Sequence, residues 1–268
     1  MNRGRLKRSW VLSSVVVVSA ALAGCGSGSG SGTSAASLST PSAIATPKDL
    51  QGVGTPMDSA MPANILDLQF TTSTGQHTSL AALKGKTVVL QDIMTLCQET
   101  CPIDTATLVS TDRAEVAAGR SKNEVFVSLT VDPVRDTVPQ IAAYRALYAP
   151  PPANWQVWTG SQASVNAIWN FLGVWRQKVA DDPGTPPRNW RTGQPLTYDV
   201  QHSDEVFFID PQQRERFLLE GTPYATKGQV PKAMYDFMDA DGRKNLTSPD
   251  PSAWTQAQAQ KVLAWIDG

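Results

Sequence analysis

The chain has 268 residues, of which 41% are hydrophobic and 18% are charged, a composition typical of an ordinary soluble protein with one or two domains. The formal net charge is -1, but four of the 23 basic residues lie within the first eight positions. Without those four, the 24 acidic residues are in clear excess. The body of the chain therefore has no electrostatic footprint for nucleic acid.

Residues 1–24 have the organisation of a lipoprotein signal peptide. Basic residues are followed by an apolar run from Trp10 to Ala23, and Leu22-Ala23-Gly24 leads to Cys25. The run is shorter than the roughly 20 residues that a membrane-spanning helix needs, which indicates an export signal. Leu-Ala-Gly-Cys resembles a bacterial lipobox, which implies lipidation at Cys25 and anchoring to the outer face of the cytoplasmic membrane. The alternative is an ordinary signal peptide with Cys25 as a bystander.

Residues 25–61 predict a disordered tether. The stretch from 26 to 47 is rich in glycine and serine and has too few large apolar side chains to form a core. A domain on such a tether would sample the surface above its anchor.

From residue 62 to 268 the pattern alternates between strands and helices. Leu66, Leu68 and Phe70 alternate and predict the first strand of an N-terminal hairpin, whose second strand spans 76–78. The next predicted elements, in chain order, are a buried central strand at 87–94, a helix at 102–118, a second buried strand at 124–131, a helix beginning at a capping box of Thr137 and Gln140, and a short strand at 155–158.

The second half of this domain continues the alternation. The predicted elements are a helix ending at Gly173, an edge strand at 174–179, a loop at 181–195, a hairpin from 205 to 221 and a C-terminal helix at 254–266. Residues 222–250 predict an irregular insertion. Strands separated by helices require crossover connections, so the fold class is α/β, with a central mixed sheet flanked by helices.

Cys97 and Cys101 lie four positions apart in the loop after the first buried strand, with Pro102 directly behind them. Proline is favoured at the first position of a helix, which places Cys101 at the N-cap. Both sulfurs would then face the positive end of a helix dipole, which favours thiolate over thiol.

Three interpretations of this cysteine pair are open. A structural disulfide fits an oxidising compartment, but so short a loop adds little stability. A thiol-disulfide oxidoreductase, with Cys97 attacking and Cys101 resolving, normally has two residues between its cysteines rather than three. A metal site needs a further ligand.

The chain has two histidines that could supply that ligand. His77 lies in the polar early hairpin and is predicted to be exposed. His202 precedes a strand predicted to neighbour the cysteine strand, so it would reach the same edge of the sheet; the alternative is a solvated loop histidine. Two thiolates and one imidazole suit Cu(I) and, with a further weak ligand, Cu(II), whereas structural zinc prefers four strong ligands.

These features together resemble the Sco/SenC family of copper-binding, thioredoxin-like proteins. The resemblance covers roughly residues 62–222. It rests on four segments, which are Lys-Gly-Lys-Thr-Val-Val-Leu at 84–90, Cys-Gln-Glu-Thr-Cys-Pro at 97–102, Val-Asp-Pro-Val-Arg-Asp-Thr at 131–137, and His202-Ser203 upstream of Phe-Phe-Ile-Asp at 207–210.

The resemblance implies that Cys97, Cys101 and His202 bind copper, as Cu(I), Cu(II) or both. It also implies delivery of copper to the binuclear copper site of cytochrome c oxidase, or reduction of that site's thiols, so the partner would be the copper-site subunit or another copper acceptor. Asp199 and Asp204 are candidates for holding the imidazole ring by a hydrogen bond. The chain departs from the family pattern at Gln98, where the family usually has proline.

The leading hypothesis is thus a membrane-anchored copper metallochaperone. The alternative is a membrane-tethered thiol-disulfide oxidoreductase that uses Cys97 and Cys101, so enzymatic activity is left open. A third hypothesis is a binding lipoprotein in which the cysteines are a staple.

Overall fold

The structure is a computed structural model that describes Thr46 and residues 48–268. The predicted signal peptide, the lipidation site Cys25 and most of the tether lie outside the described residues. The strands are β1 (Thr55–Ala60), β2 (Phe70–Thr72), β3 (His77–Thr78), β4 (Thr87–Ile93), β5 (Glu124–Thr130), β6 (Trp155–Gly160), β7 (Arg176–Ala180), β8 (Tyr198–His202), β9 (Glu205–Ile209) and β10 (Arg214–Glu220). The α-helices are α1 (Ala63–Leu66), α2 (Cys101–Ala117), α3 (Val138–Leu147), α4 (Gln162–Leu172), α5 (Lys232–Phe237), α6 (Ala240–Thr247) and α7 (Gln256–Asp267).

The main sheet is mixed and has the strand order β1-β10-β9-β4-β5-β6-β2-β3. Its centre is parallel, because β5 pairs in parallel with both β4 and β6, while β9 pairs with β4 in the antiparallel sense. Every residue of β4 and β5 is buried, as expected for strands covered on both faces. The predicted α/β class and central mixed sheet are confirmed.

Two hydrophobic cores cover the two faces of this sheet. Alternate residues of β4 divide between them, with Val89 and Ile93 in one core and Val88 and Leu90 in the other. The first core receives α2, α3 and α7, and the second receives α4. Helices therefore flank both faces, as the thioredoxin-like resemblance implied.

The N-terminal hairpin is confirmed, but its first strand is shorter than predicted. β2 pairs with β3 from Phe70 onward. Leu66 ends the short helix α1, and Leu68 follows it before the strand begins. Leu66 and Leu68 alternate because both lie on the partly buried side of this short helix and the residues after it, not because they belong to a strand.

The tether ends earlier than residue 61, so that prediction is wrong for its last part. Leu50 is 1% exposed in the first core, and β1 pairs antiparallel with β10. Gly54 makes this approach possible, because a Cβ there would lie 2.3 Å from the Leu218 carbonyl oxygen. The added strand is held mainly by backbone hydrogen bonds to the edge of the sheet, which its side-chain composition does not reveal.

Residues 176–180 form a strand, but not an edge strand of the main sheet. β7 pairs only with β8 in a separate two-stranded sheet within the described part of the chain.

The predicted capping box of Thr137 and Gln140 does not form. Thr137 is the N-cap of α3 without a side-chain bond, and the Gln140 amide donates instead to the Thr95 hydroxyl at 3.2 Å.

The segment 222–250 is less irregular than expected, since it contains α5 and α6. Asp239, which begins the Asp-Ala-Asp-Gly sequence, is the N-cap of α6 and accepts a hydrogen bond from the Gly242 amide at 2.8 Å. Within the described residues, none of the helices is long and apolar enough to cross a bilayer.

Candidate metal centre

The cysteine loop and His202 meet at one edge of the main sheet because of the strand order. β4 ends at Ile93, and the following loop carries Cys97 to the start of α2. β9 runs antiparallel to β4, so the residues just before β9 lie beside the end of β4. His202, the last residue of β8, therefore reaches the cysteine loop, as its position in the sequence predicted.

The donor atoms are close to one another. Cys101 Sγ lies 3.3 Å from His202 Nε2, and the Cys101 amide donates a hydrogen bond to Cys97 Sγ at 3.4 Å. Both thiols are free; Cys101 is fully buried and Cys97 is partly exposed. The predicted helix start is displaced by one residue, since Thr100 is the N-cap and Cys101 begins α2.

The hydrogen-bond acceptor that orients His202 is Asp92, on β4. Asp92 Oδ2 lies 2.6 Å from His202 Nδ1, and Asp92 Oδ1 accepts from the Glu205 amide at 2.9 Å. This bond leaves Nε2 facing Cys101, and it is the type of contact that fixes the ring of a metal-binding histidine. The sequence contained a signal for it, because a carboxylate inside an apolar strand run requires a buried partner.

The assignment of this role to Asp199 or Asp204 is wrong. Asp204 Oδ1 accepts from the Thr100 hydroxyl at 3.0 Å, and Asp204 Oδ2 accepts from the Thr222 hydroxyl at 3.3 Å. Asp199 lines the cleft next to Cys97 without a hydrogen bond to the ring among the described residues. Both acids were nearer in sequence to His202 than Asp92, but strand pairing brings Asp92 nearer in space.

The two thiols differ in acidity. A hydrogen bond from Cys101 lowers the pKa of Cys97 against the opposing effect of burial, and the positive charge of His202 lowers it further. Burial raises the pKa of Cys101 well above its ordinary value, and the neighbouring Cys97 adds to that effect. Cys97 is thus the thiol of the two that ionises first.

His202 is buried, but its ring contacts the carboxylate of Asp92. Burial opposes the charged ring, but the hydrogen bond and charge of Asp92 overcome it and raise the pKa of His202 to about 10.

The contact between Cys101 Sγ and His202 Nε2 has the length of a hydrogen bond to sulfur and is slightly shorter than the spacing of two ligands on one metal ion. A first-row ion bound tetrahedrally to one sulfur at about 2.3 Å and one nitrogen at about 2.0 Å would separate these atoms by about 3.5 Å. The observed separation is 3.3 Å. Within the described residues, however, no group of three or more His, Cys, Asp or Glu side chains is placed so that it could hold a metal ion. Metal binding by all three residues stays a prediction.

A cleft of about 420 Å³ opens beside Cys97 and His202. Its rim includes Glu99, Asp199 and Asp239. Burial raises the pKa of Glu99, and the charge of Asp239 contributes to the same shift. The rim is acidic, so it attracts positively charged species toward the thiols.

Sequence reasoning missed Trp190, which supports the strand end beneath the cysteine loop. Residues 181–195 were correctly predicted as a loop from their composition, but that composition gave no contact. Trp190 Nε1 donates to the Thr95 carbonyl at 2.8 Å, and its ring lies 6.4 Å from that of Tyr144. Both indole contacts join segments far apart in sequence.

Comparison with known proteins places this geometry in a family context. The family model described as SCO1/SenC matches residues 59–229. A SCO1 protein homolog of Bacillus subtilis (strain 168) is 28% identical over 161 residues, which are 58% of this chain and 74% of that protein.

Solved structures give similar matches. A SCO1/SenC family lipoprotein from Bacillus anthracis is 22% identical, with a TM-score of 0.48, and the match covers 68% of this chain and 97% of that one. Arabidopsis thaliana ScoI with copper bound is 20% identical, with a TM-score of 0.44, and the match covers 69% of this chain and 94% of that one.

Proposed function

The chain belongs to the SCO1/SenC family, and from this premise we propose that it is a copper-binding protein that delivers copper to the binuclear copper site of cytochrome c oxidase. Copper is its cargo, and Cys97, Cys101 and His202 are its ligands. The observation that carries this proposal is the 3.3 Å approach of His202 Nε2 to Cys101 Sγ, beside Cys97. Soft thiolates with one imidazole form a donor set that suits copper.

Release of the cargo would depend on the oxidation state of the two cysteines. While Cys97 and Cys101 are reduced, their thiolates can pass the copper ion to a ligand of the acceptor. Transfer of two electrons from Cys97 and Cys101 to an acceptor disulfide would instead form a disulfide between them and two thiols on the acceptor. That reaction would remove both sulfur ligands, so the same pair could keep the thiols of the acceptor's copper site reduced.

Anchoring to the outer face of the cytoplasmic membrane through lipid at Cys25 is part of the same proposal. Its support is the lipobox-like Leu22-Ala23-Gly24-Cys25 sequence behind a short apolar run. A tether before β1 would let the cleft reach a membrane-bound acceptor.

Copper binding is tested by titrating the reduced full-length chain with Cu(I) against a chromophoric chelator. His202→Ala should lower the affinity about 10–100-fold, because it removes one of three ligands. His77→Ala is the matched control, since His77 is exposed on β3 and should change nothing. Equal affinity in all three proteins would remove His202 from the site.

A second candidate function, thiol-disulfide oxidoreductase, is favoured by the unequal acidity of the thiols. The partly exposed Cys97 has the lowered pKa and would attack a substrate disulfide, and the buried Cys101 would resolve the mixed disulfide. Turnover on a protein disulfide that is lost in Cys97→Ser but unchanged in His202→Ala, without copper uptake, would support this function over the first.

A further inference from the structure

The cysteine loop is held from outside by the segment that contains α5 and α6. The Gln98 side-chain amide donates to the Phe237 carbonyl at 3.0 Å, and the Asp239 amide donates to the Gln98 carbonyl at 3.1 Å. Gln98 directly follows Cys97, so both hydrogen bonds act on the residue next to the proposed copper ligand.

A third contact is a close approach at Gly242, on the first turn of α6. A Cβ at this position would lie 2.4 Å from the Gln98 carbonyl oxygen and 2.9 Å from that of Glu99. These are backbone atoms, so the clash could be relieved only by moving the loop or the helix. Glycine is required here by the space available, not by its own backbone angles.

The segment is itself firmly anchored. Met234 and Met238 are 0% and 2% exposed in the first core, and Leu246 on α6 is 8% exposed there. The Asp239 side chain caps α6 through the Gly242 amide. The three contacts therefore link the loop to a fixed part of the domain rather than to a mobile surface segment.

The rest of the cysteine loop is held near its two ends: the Thr95 amide donates to Asp136 Oδ2 at 3.2 Å, and the Thr100 hydroxyl donates to Asp204 Oδ1 at 3.0 Å. The Cys97 amide donates to the Met94 carbonyl at 3.1 Å, and the Cys101 amide donates to Cys97 Sγ at 3.4 Å. The family match ends at residue 229, before α5 begins. The loop therefore lies inside the family match, while the segment that holds it lies outside.

We propose that α5 and α6 form a brace for the cysteine loop, with Gln98 and Gly242 as positioning residues for the two thiols. The brace fixes the backbone that directly follows Cys97 and so sets the position of its sulfur relative to Cys101 and His202. The consequence for copper affinity rests on the proposed function. The consequence for loop order does not, because it concerns the metal-free chain.

The test compares Gly242→Ala, Gln98→Ala and Gly228→Ala in the full-length chain. Gly228 is the matched control, since it is exposed and a Cβ there would contact nothing within 4 Å. The first measurement is hydrogen exchange of the loop amides in the reduced, metal-free proteins. The second is Cu(I) affinity by competition with a chelator.

We expect the Cys101 amide to exchange about tenfold faster in Gly242→Ala and about threefold faster in Gln98→Ala, with no change in Gly228→Ala. Cu(I) affinity should fall in the same order. Gln98→Ala removes one partly exposed side-chain amide, so it decides the question if Gly242→Ala does not fold. Unchanged loop exchange in folded Gly242→Ala, or in Gln98→Ala if only that variant folds, overturns the brace. Failure of every protein, the parent included, to bind copper overturns the proposed function and leaves the exchange result to decide the brace.

Discussion

The two ends of the central strands hold buried carboxylates that have different partners. At the end where β4 leaves the sheet, Asp92 is buried beside His202 with an Oδ2 to Nδ1 distance of 2.6 Å. At the other end, Asp112 on α2 and Glu124 at the start of β5 are also buried. Among the described residues, neither oxygen of Asp112, nor Glu124 Oε2, has a hydrogen-bond partner.

Burial raises the pKa of both unpartnered acids at the far end. Burial raises the pKa of Asp112 to about 7. Burial also raises the pKa of Glu124 to about 8, with added repulsion from Glu115. Burial also raises the pKa of Glu205, beside His202, to about 7, so a raised pKa is common to both ends; the ends differ in that Asp92 has His202 as its partner.

The largest expected effect comes from breaking the pair. Asp92→Asn removes the charge opposite His202, and we expect the free energy of unfolding at pH 7 to fall by about 3 kcal/mol, because it leaves a buried ring without its counterion. Urea unfolding of the full-length chain measures this. Cu(I) affinity should fall about 10–100-fold as the ring loses its orientation.

Asp199→Asn is the control for that prediction, since it alters an acid on the cleft rim that makes no bond to the ring. We expect it to change the free energy of unfolding by less than about 0.5 kcal/mol. A loss of copper affinity in Asp199→Asn but not in Asp92→Asn would reverse the assignment.

A smaller effect is expected at the unpaired end, and it should depend on pH. Because the pKa of Asp112 is raised in the folded chain, its folded state holds the proton more tightly, so its contribution to stability is full below about pH 4 and is lost as pH rises through about 7. Between pH 5 and pH 8, the free energy of unfolding of the parent should therefore fall by about 1–2 kcal/mol more than that of Asp112→Asn. The difference is smaller than the full pKa shift implies, since relaxation screens part of the buried charge. Equal pH slopes for the two proteins would show that Asp112 is ionised throughout.

The smallest effect concerns Glu115, the acid at this far end that does have partners. Its Oε1 accepts from the Gln260 amide at 2.8 Å, and Arg120 pairs with its Oε2 at 2.7 Å. Burial alone would raise the pKa of Glu115, but the hydrogen bonds from Arg120 and Gln260 outweigh it, so the pKa is lowered. Gln260→Met should cost about 0.5–1 kcal/mol at pH 7 and less at pH 3, because protonation of Glu115 as pH falls weakens the hydrogen bond from Gln260. A cost that is equal at both pH values would instead indicate a loss of packing.

Much of the fold could be predicted from local patterns. The apolar runs of β4 and β5 gave two adjacent buried strands, and Pro102 gave the start of α2 within one residue. The placement of His202 at the cysteine edge also followed, because it required only that β9 neighbour β4. These predictions held since each rested on a short segment or on one strand pairing.

What could not be predicted depends on contacts between distant segments. Asp92 pairs with a histidine more than a hundred positions away, and the register that joins them is not written in either segment. Gly242 contacts Gln98, which is also more than a hundred positions away in the sequence. A lone glycine in a polar stretch is equally typical of a simple turn. β1 joins the sheet through its backbone, which gives no signal in side-chain composition.

The most direct test of the copper proposal is copper K-edge X-ray absorption of the Cu(I)-loaded, reduced full-length chain. We expect two sulfur neighbours at about 2.3 Å and one nitrogen neighbour at about 2.0 Å. Only the nitrogen neighbour should be lost in His202→Ala. A copper environment without sulfur, or one that is identical in the parent and in His202→Ala, would contradict the proposal.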